Sequence, residues 1–314
     1  WPIDEPIPIH ISTQYSKKQK EIILAGLQTF KENTCIEFEE SQNPGPKLAF
    51  TPGAGCGSQV GDKRKKNEHH AIFLANECFH IQVIQHETMH ALGFDHTMSR
   101  SDRDEYMHFK SDALRDDIQT RFQFEVLKPE SFDNLSMPYE YNSVMHYPSV
   151  DGSKDGRTPV LIPKKSEYTA SVGGKHGPTF NDWKAVNMRY NCTARNCDRE
   201  VQCFNNGYQH PRDCSRCACP VFFTGAFCEN EINVTILHPG DEPMSMDYGK
   251  QLSEKFNGDA DFSEFEKELH VIRAPEGQRI RVTLDKIQGV DRSCMRECYV
   301  NAVEIVVEDL TLVG

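Results

Sequence analysis

Apolar residues at Ile23, Leu27 and Phe30 recur at helical spacing behind a Ser16–Gln19 capping-box pattern, and they predict an amphipathic helix over residues 17–33. On either side the period shortens. The runs Ile7–Ile11, Ile36–Phe38, Leu48–Phe50 and Ala71–Ala75 read as short strands. Pro8 has no N–H to give a ladder, which assigns the first of these to a sheet edge. The Gly- and Pro-rich piece from Pro44 to Gly61 is loop around the strands, and Ile81, Val83, Ile84 and Leu92 supply the buried side of a second helix. Beyond residue 192 the pattern changes. Residues 193–230 are loop-rich and hold too few apolar side chains for a core, and strand patterning returns only in Leu269–Ile272, Arg279–Leu284 and Ala302–Val307. No apolar run approaches the roughly 20 residues needed to span a bilayer.

With 314 residues the chain can build one sizeable domain and one or two small ones. Its twelve cysteines are unevenly placed: three before residue 190, seven from 192 to 228, and two at 294 and 298. Such density reads as a disulfide framework and hence an oxidising, extracellular compartment. A cysteine-ligated zinc module is the weaker alternative, because Cys214-x-x-Cys217 has no distant matching pair. Sequons at Asn134, Asn191 and Asn233 agree with a secreted glycoprotein, and the first residues, Trp1 to Glu5, show neither a signal peptide nor a pro-segment. The net charge is -12, and no basic footprint for nucleic acid is present. The exception, Lys63-Arg64-Lys65-Lys66, reads as a solvated loop, with a local substrate contact as the weaker alternative.

Candidate chemistry is concentrated between residues 86 and 147. His86-Glu87-Thr88-Met89-His90 sets two imidazoles one helical turn apart on one face, where they can grip one ion, and Glu87 can reach a metal-bound water. Gly93 can take the left-handed conformation that ends a helix, so that His96 folds back as a third ligand. Three nitrogens leave a position open, as a catalytic zinc needs. H-E-x-x-H alone is weak evidence. With Gly93, His96 and a downstream methionine turn at Ser143-Val144-Met145-His146-Tyr147, it is the metzincin signature.

This pattern, H-E-x-x-H-x-x-G-F-x-H followed by Arg100-Ser101-Asp102-Arg103-Asp104 and S-x-M-H-Y, resembles the astacin family of zinc endopeptidases over residues 1–192. The resemblance implies an α+β fold with a two-lobed metzincin catalytic domain: a twisted sheet, helices above it, and the zinc helix at the cleft. It implies one catalytic Zn2+ held by His86, His90 and His96, with Tyr147 as an extra ligand that swings away to stabilise the oxyanion. Glu87 would be the general base, Met145 would lie beneath the metal, and disulfides Cys35–Cys192 and Cys56–Cys78 would form. Substrate would be an extended protein or peptide lying along the edge near His70–Ala75. Residues 193–230 resemble an EGF-like module, implying Cys197–Cys214, Cys203–Cys217 and Cys219–Cys228, with no calcium. Residues 231–314 resemble part of a CUB-like β-sandwich, and both small parts could dock extracellular proteins.

The chain departs from the family in three places. Thr97 stands where most members carry a glutamate that engages the buried mature N-terminus, Trp1 aligns with a tryptophan inside the usual domain, and Gln82 replaces a common glycine. No ligand or base is lost, so the expectation is a secreted endopeptidase acting on extracellular or matrix proteins. The competing reading is a weakly active or non-catalytic zinc-containing binding protein. Lys164, Lys165 and Lys175 raise an acidic preference after the cut, with solvated lysines as the alternative.

Overall fold

The computed structural model describes residues 1–62, 68–128, 134–169, 171–174, 177–241 and 270–283. The expected strand at 302–307, Cys294, Cys298, Lys175 and the basic run at 63–66 lie outside these residues.

The first part is a sheet carrying helices. Strand β1 (Ile7–Ile11) leads to helix α1 (Lys17–Asn33), then to β2 (Phe38–Glu40), β3 (Leu48–Thr51), β4 (Gly57–Ser58) and β5 (His70–Phe73). The strand order is β2-β1-β3-β5-β4, parallel except for β4. Helix α1 starts at a complete capping box, in which Ser16 accepts from Gln19 N and the Gln19 side chain reaches back. It buries Ile23, Leu27 and Phe30 against Ile7, Ile9, Leu48, Phe50 and Ile72 of the sheet.

Two edge assignments are corrected. Pro8 does not mark an edge, because β1 lies between β2 and β3. Its pairing with β3 begins only at Ile9↔Leu48, so the missing N–H falls just before that ladder starts. Nor is β5 an edge. It is flanked by β3, and β4 covers it at Ser58↔Ile72 and Gly57↔Phe73, leaving β4 outermost.

Helix α2 (Ile81–Ala91) packs on α1. The approach is close at Gly26, where a Cβ would fall 2.7 Å from Cγ2 of Ile84. Next come α3 (Arg103–Tyr106), β6 (Met107–Phe109), α4 (Ile118–Gln123) and β7 (Leu161–Pro163), which pairs with β6. They enclose a second core of Met98, Met107, Leu114, Phe124, Tyr139, Tyr141, Val160, Leu161 and Val172. Two buried arginines stitch this half together. Arg100 holds Asp102 through two bonds and the carbonyls of Met137 and Pro138, while Arg103 donates to Phe124 O at 2.7 Å. Helix α5 (Phe180–Arg189) returns to the first core, burying Trp183 and Val186.

Disulfides Cys35–Cys192 and Cys56–Cys78 lie in this part, and Cys197–Cys214, Cys203–Cys217 and Cys219–Cys228 staple the next. There two hairpins form, Tyr208–Gln209 with Cys217–Ala218 and Phe223–Thr224 with Asn230–Glu231, around Cys217, Phe222, Phe223 and Cys228. Val234–Ile236 pairs in parallel with Val271–Arg273, and Val271 joins that small cluster. Residues 279–283, expected as a strand, are irregular. No helix among the described residues is long and apolar enough to cross a membrane.

Candidate metal centre

Helix α2 presents His86 and His90, and Gly93 takes φ +97° immediately after it, a conformation that L side chains rarely adopt. The amide of Gly93 caps back on His90 O at 2.9 Å, and the chain reverses to bring in His96. One ring nitrogen from each of the three histidines lies within 4.8 Å of the other two. The tautomers of two rings are set by backbone carbonyls, which can only accept. Nδ1 of His86 donates to Val144 O and Nδ1 of His90 to Phe94 O, both at 2.7 Å, so each neutral ring turns a bare Nε2 inward. Burial favours the neutral form throughout. It lowers His86 to about 3, helped by the charge of His90, and lowers His90 to about 4. His96 is held well below its ordinary value, by burial first and then by His90, His86 and His146.

The donor set fits zinc. Tetrahedral zinc with nitrogens at about 2.0–2.1 Å spaces its ligand atoms by roughly 3.3 Å. Nε2 of His90 and Nε2 of His96 stand 3.1 Å apart. Beside them Glu87 is buried with its Oε2 unpartnered, while the Ser58 amide bonds the carboxylate. Burial pushes Glu87 up to about 8, against the lowering by the Ser58 amide.

Met145 is buried in the first core, and its carbonyl accepts from Thr97 N at 2.9 Å, tying the methionine turn to the residue after the third histidine. Tyr147 packs its ring on His96 with centroids 4.4 Å apart, and its hydroxyl donates to Gln123 Oε1 at 3.4 Å. Burial raises its hydroxyl above the usual range, with Asp151, Glu87 and Asp95 adding to the shift. A cavity of about 490 Å³ opens beside it, between Thr120 and Gln123 on one wall and Val150 to Ser153 on the other. His146 turns away from the cluster, with Nε2 on the Tyr139 hydroxyl at 2.8 Å and Nδ1 on Tyr147 O at 2.7 Å. Lys164 reaches the Asp104 carbonyl.

Sequence reasoning missed Asp182. Its carboxylate accepts from Ser143 Oγ at 2.7 Å, Val144 N at 2.9 Å and Thr179 N at 3.0 Å, so it pins the methionine turn to the start of α5. The signal was the Thr179-x-x-Asp182 capping pattern ahead of Trp183 and Val186. Glu140 lies against it. The carboxyl end of Glu140 is buried, and Oε2 has no hydrogen-bond partner. With several donors on Asp182, Glu140 is the member of the pair that keeps the proton, pushed up by burial and by the charge of Asp182.

An open three-imidazole centre with a buried acid at its side, laid over a methionine turn, is the arrangement of a metzincin zinc peptidase. By its match to the profile of the astacin peptidase family over residues 1–191, the chain belongs to that family, whose members use one catalytic zinc. It is 35% identical over 231 residues to "Zinc metalloproteinase dpy-31" of Caenorhabditis elegans, covering 73% of this chain and 38% of that protein. Against "Zinc metalloproteinase nas-28" of the same organism it is 28% identical over 322 residues, covering 100% of this chain and 63% of the relative. The chain thus spans between 38% and 63% of the length of these two relatives. Among solved structures it is similar to high choriolytic enzyme 1, a hatching enzyme zinc-protease from Oryzias latipes, with a TM-score of 0.54 and 29% identity. That likeness covers 59% of this chain and 88% of the other.

Proposed function

We propose that this chain is a secreted endopeptidase that hydrolyses internal bonds of extracellular proteins, with His86, His90 and His96 as zinc ligands. The observation that carries the reading is the convergence of three ring nitrogens within 4.8 Å beside the unpartnered Oε2 of Glu87. Zinc bound there would polarise the substrate carbonyl and bring a water near neutral pKa. Glu87 takes the proton of the attacking water and hands it to the leaving amine. The Tyr147 hydroxyl, now on Gln123, would be a further zinc ligand and, released from the metal, a donor to the developing oxyanion. Met145, buried in the first core, would support the metal site by packing and would not ligate the ion. Substrate lies extended against the outer edge, where β4 stands.

Residues 1–192 are the catalytic domain in this reading, 193–230 an EGF-like module and 231–314 part of a CUB-like domain. The three staples and two hairpins after Cys192 support the second, and five disulfides among the described residues support secretion. Both small parts are surfaces for extracellular partners.

The test is peptide-library cleavage mapped by mass spectrometry, comparing the chain with Glu87→Ala. The variant should keep one zinc per chain and lose roughly 10²–10⁴-fold in turnover. Equal cutting by both would remove Glu87 from the mechanism. Removing zinc with a chelator should abolish cutting, and adding it back should restore it.

A further inference from the structure

Strand β4 is only Gly57–Ser58, paired with β5 through Gly57↔Phe73 and Ser58↔Ile72. Two residues of ladder hold it weakly, yet the Ser58 amide bonds the Glu87 carboxylate. Its placement therefore depends on what else grips it. Cys56–Cys78 anchors the chain just ahead. Ser58 itself is gripped from β5: its Oγ lies 2.9 Å from Nε2 of His70. Because the Ser58 hydroxyl donates to Gln59 O at 3.1 Å, Nε2–H of His70 is the donor in that contact. His70 is itself held, with 3% of its surface exposed and the Trp1 ring edge-on at 5.9 Å. Trp1 in turn donates Nε1–H to Ala91 O, at the end of the helix that carries Glu87, at 2.8 Å. These contacts make a closed circuit: zinc helix, Trp1, His70, Ser58, and back to Glu87.

We propose that His70 is a positioning residue for Glu87, acting through Ser58 to aim the edge-strand amide at the carboxylate. This inference rests on the reading of Glu87 as general base. The Ser58 amide keeps one carboxylate oxygen engaged and so orients the other, Oε2, which has no partner among the described residues. If the Ser58 amide is re-aimed while β4 stays paired to β5, the carboxylate rotates and proton transfer suffers, and the outer edge that receives substrate is kept.

The test compares His70→Phe, which keeps the bulk and the contact with Trp1, with His70→Gln, whose side-chain amide can donate to Ser58 Oγ. Ser58→Ala removes the acceptor from the other side and leaves the backbone N–H. His70→Phe and Ser58→Ala should each lower kcat roughly tenfold with KM within about twofold, and zinc content should stay at one per chain. His70→Gln should recover most of the loss, and the double variant should be no worse than either single one. A fully active His70→Phe, or losses that multiply in the double variant, would overturn this inference alone. So would a His70→Gln no better than His70→Phe. A parent chain that cuts no peptide would overturn the base reading and this inference with it.

Discussion

Two buried acids in this protein face opposite demands. Asp182 is surrounded by donors and serves as an anion, whereas Glu140 next to it has an unpartnered oxygen and holds a proton. The folded chain therefore binds a proton at Glu140 above the pH, near 4.5, at which an unfolded chain releases it. More protons on the folded form mean that stability falls as pH rises from there, until the folded group itself ionises. Glu140→Gln removes that slope. Relative to the parent it should gain about 1–3 kcal/mol between about pH 4.5 and about pH 7, read from denaturant unfolding at each pH. A constant difference between the two chains across that range would mean Glu140 is already ionised when folded. Residues at this scale were only partly legible in sequence. His86, His90, Gly93 and His96 meet because one helix and one turn bring them together. Asp182 meets Ser143 across 39 positions of chain, a separation that no local pattern encodes.

Elements with strong periodicity were readable to their ends. The helix at Lys17–Asn33 and the strand at Ile7–Ile11 carry both their apolar spacing and their boundary signals in the sequence. What it did not reveal is which strands lie outermost, because Pro8 and the β5 residues look alike whether or not β2 covers the one and β4 the other. The close crossing of α1 and α2 was equally hidden. At Gly26, alanine would gain about 1 kcal/mol of helix propensity. Its Cβ would also press on Ile84 from 2.7 Å, and overpacking of a filled core costs about 1–3 kcal/mol. The clash should prevail, so Gly26→Ala should lower the melting temperature, and Gly26→Val should lower it further and weaken zinc affinity. A stabilised Gly26→Ala would show that α1 can slide away without disturbing the zinc helix.

At the scale of the whole molecule, the cysteine-dense stretch is seated on the peptidase part by polar contacts. Arg212 donates to Thr34 O at 2.8 Å and pairs with Glu37 at 2.7 Å, while Lys184 and Asn187 of α5 reach Asn206 and Tyr208. The Arg212–Glu37 pair is well enough placed to hold the Glu37 carboxyl below its ordinary range. Cys35–Cys192 closes a ring with a sequence separation of 157 residues just beside this seam. Loop-closure entropy assigns such a ring about 5 kcal/mol at the upper end. Replacing both cysteines by serine should lower denaturant stability by about 3–5 kcal/mol. A loss below about 1 kcal/mol would mean that the polar seam and the core hold the ends together unaided.

Asp182 belongs to two elements at once, the first turn of α5 and the methionine turn that bonds His86. A shared fastening of this kind carries information in both directions. Zinc on His86 would steady the methionine turn through the bond from Nδ1 to Val144 O, and through the Asp182 carboxylate it would steady the start of α5. Amide hydrogen exchange at Phe180–Trp183 should therefore slow on zinc loading, and Asp182→Asn should erase that response while α1 exchanges as before. The opening turn of α5 would then act as a built-in gauge of whether the enzyme is charged with metal.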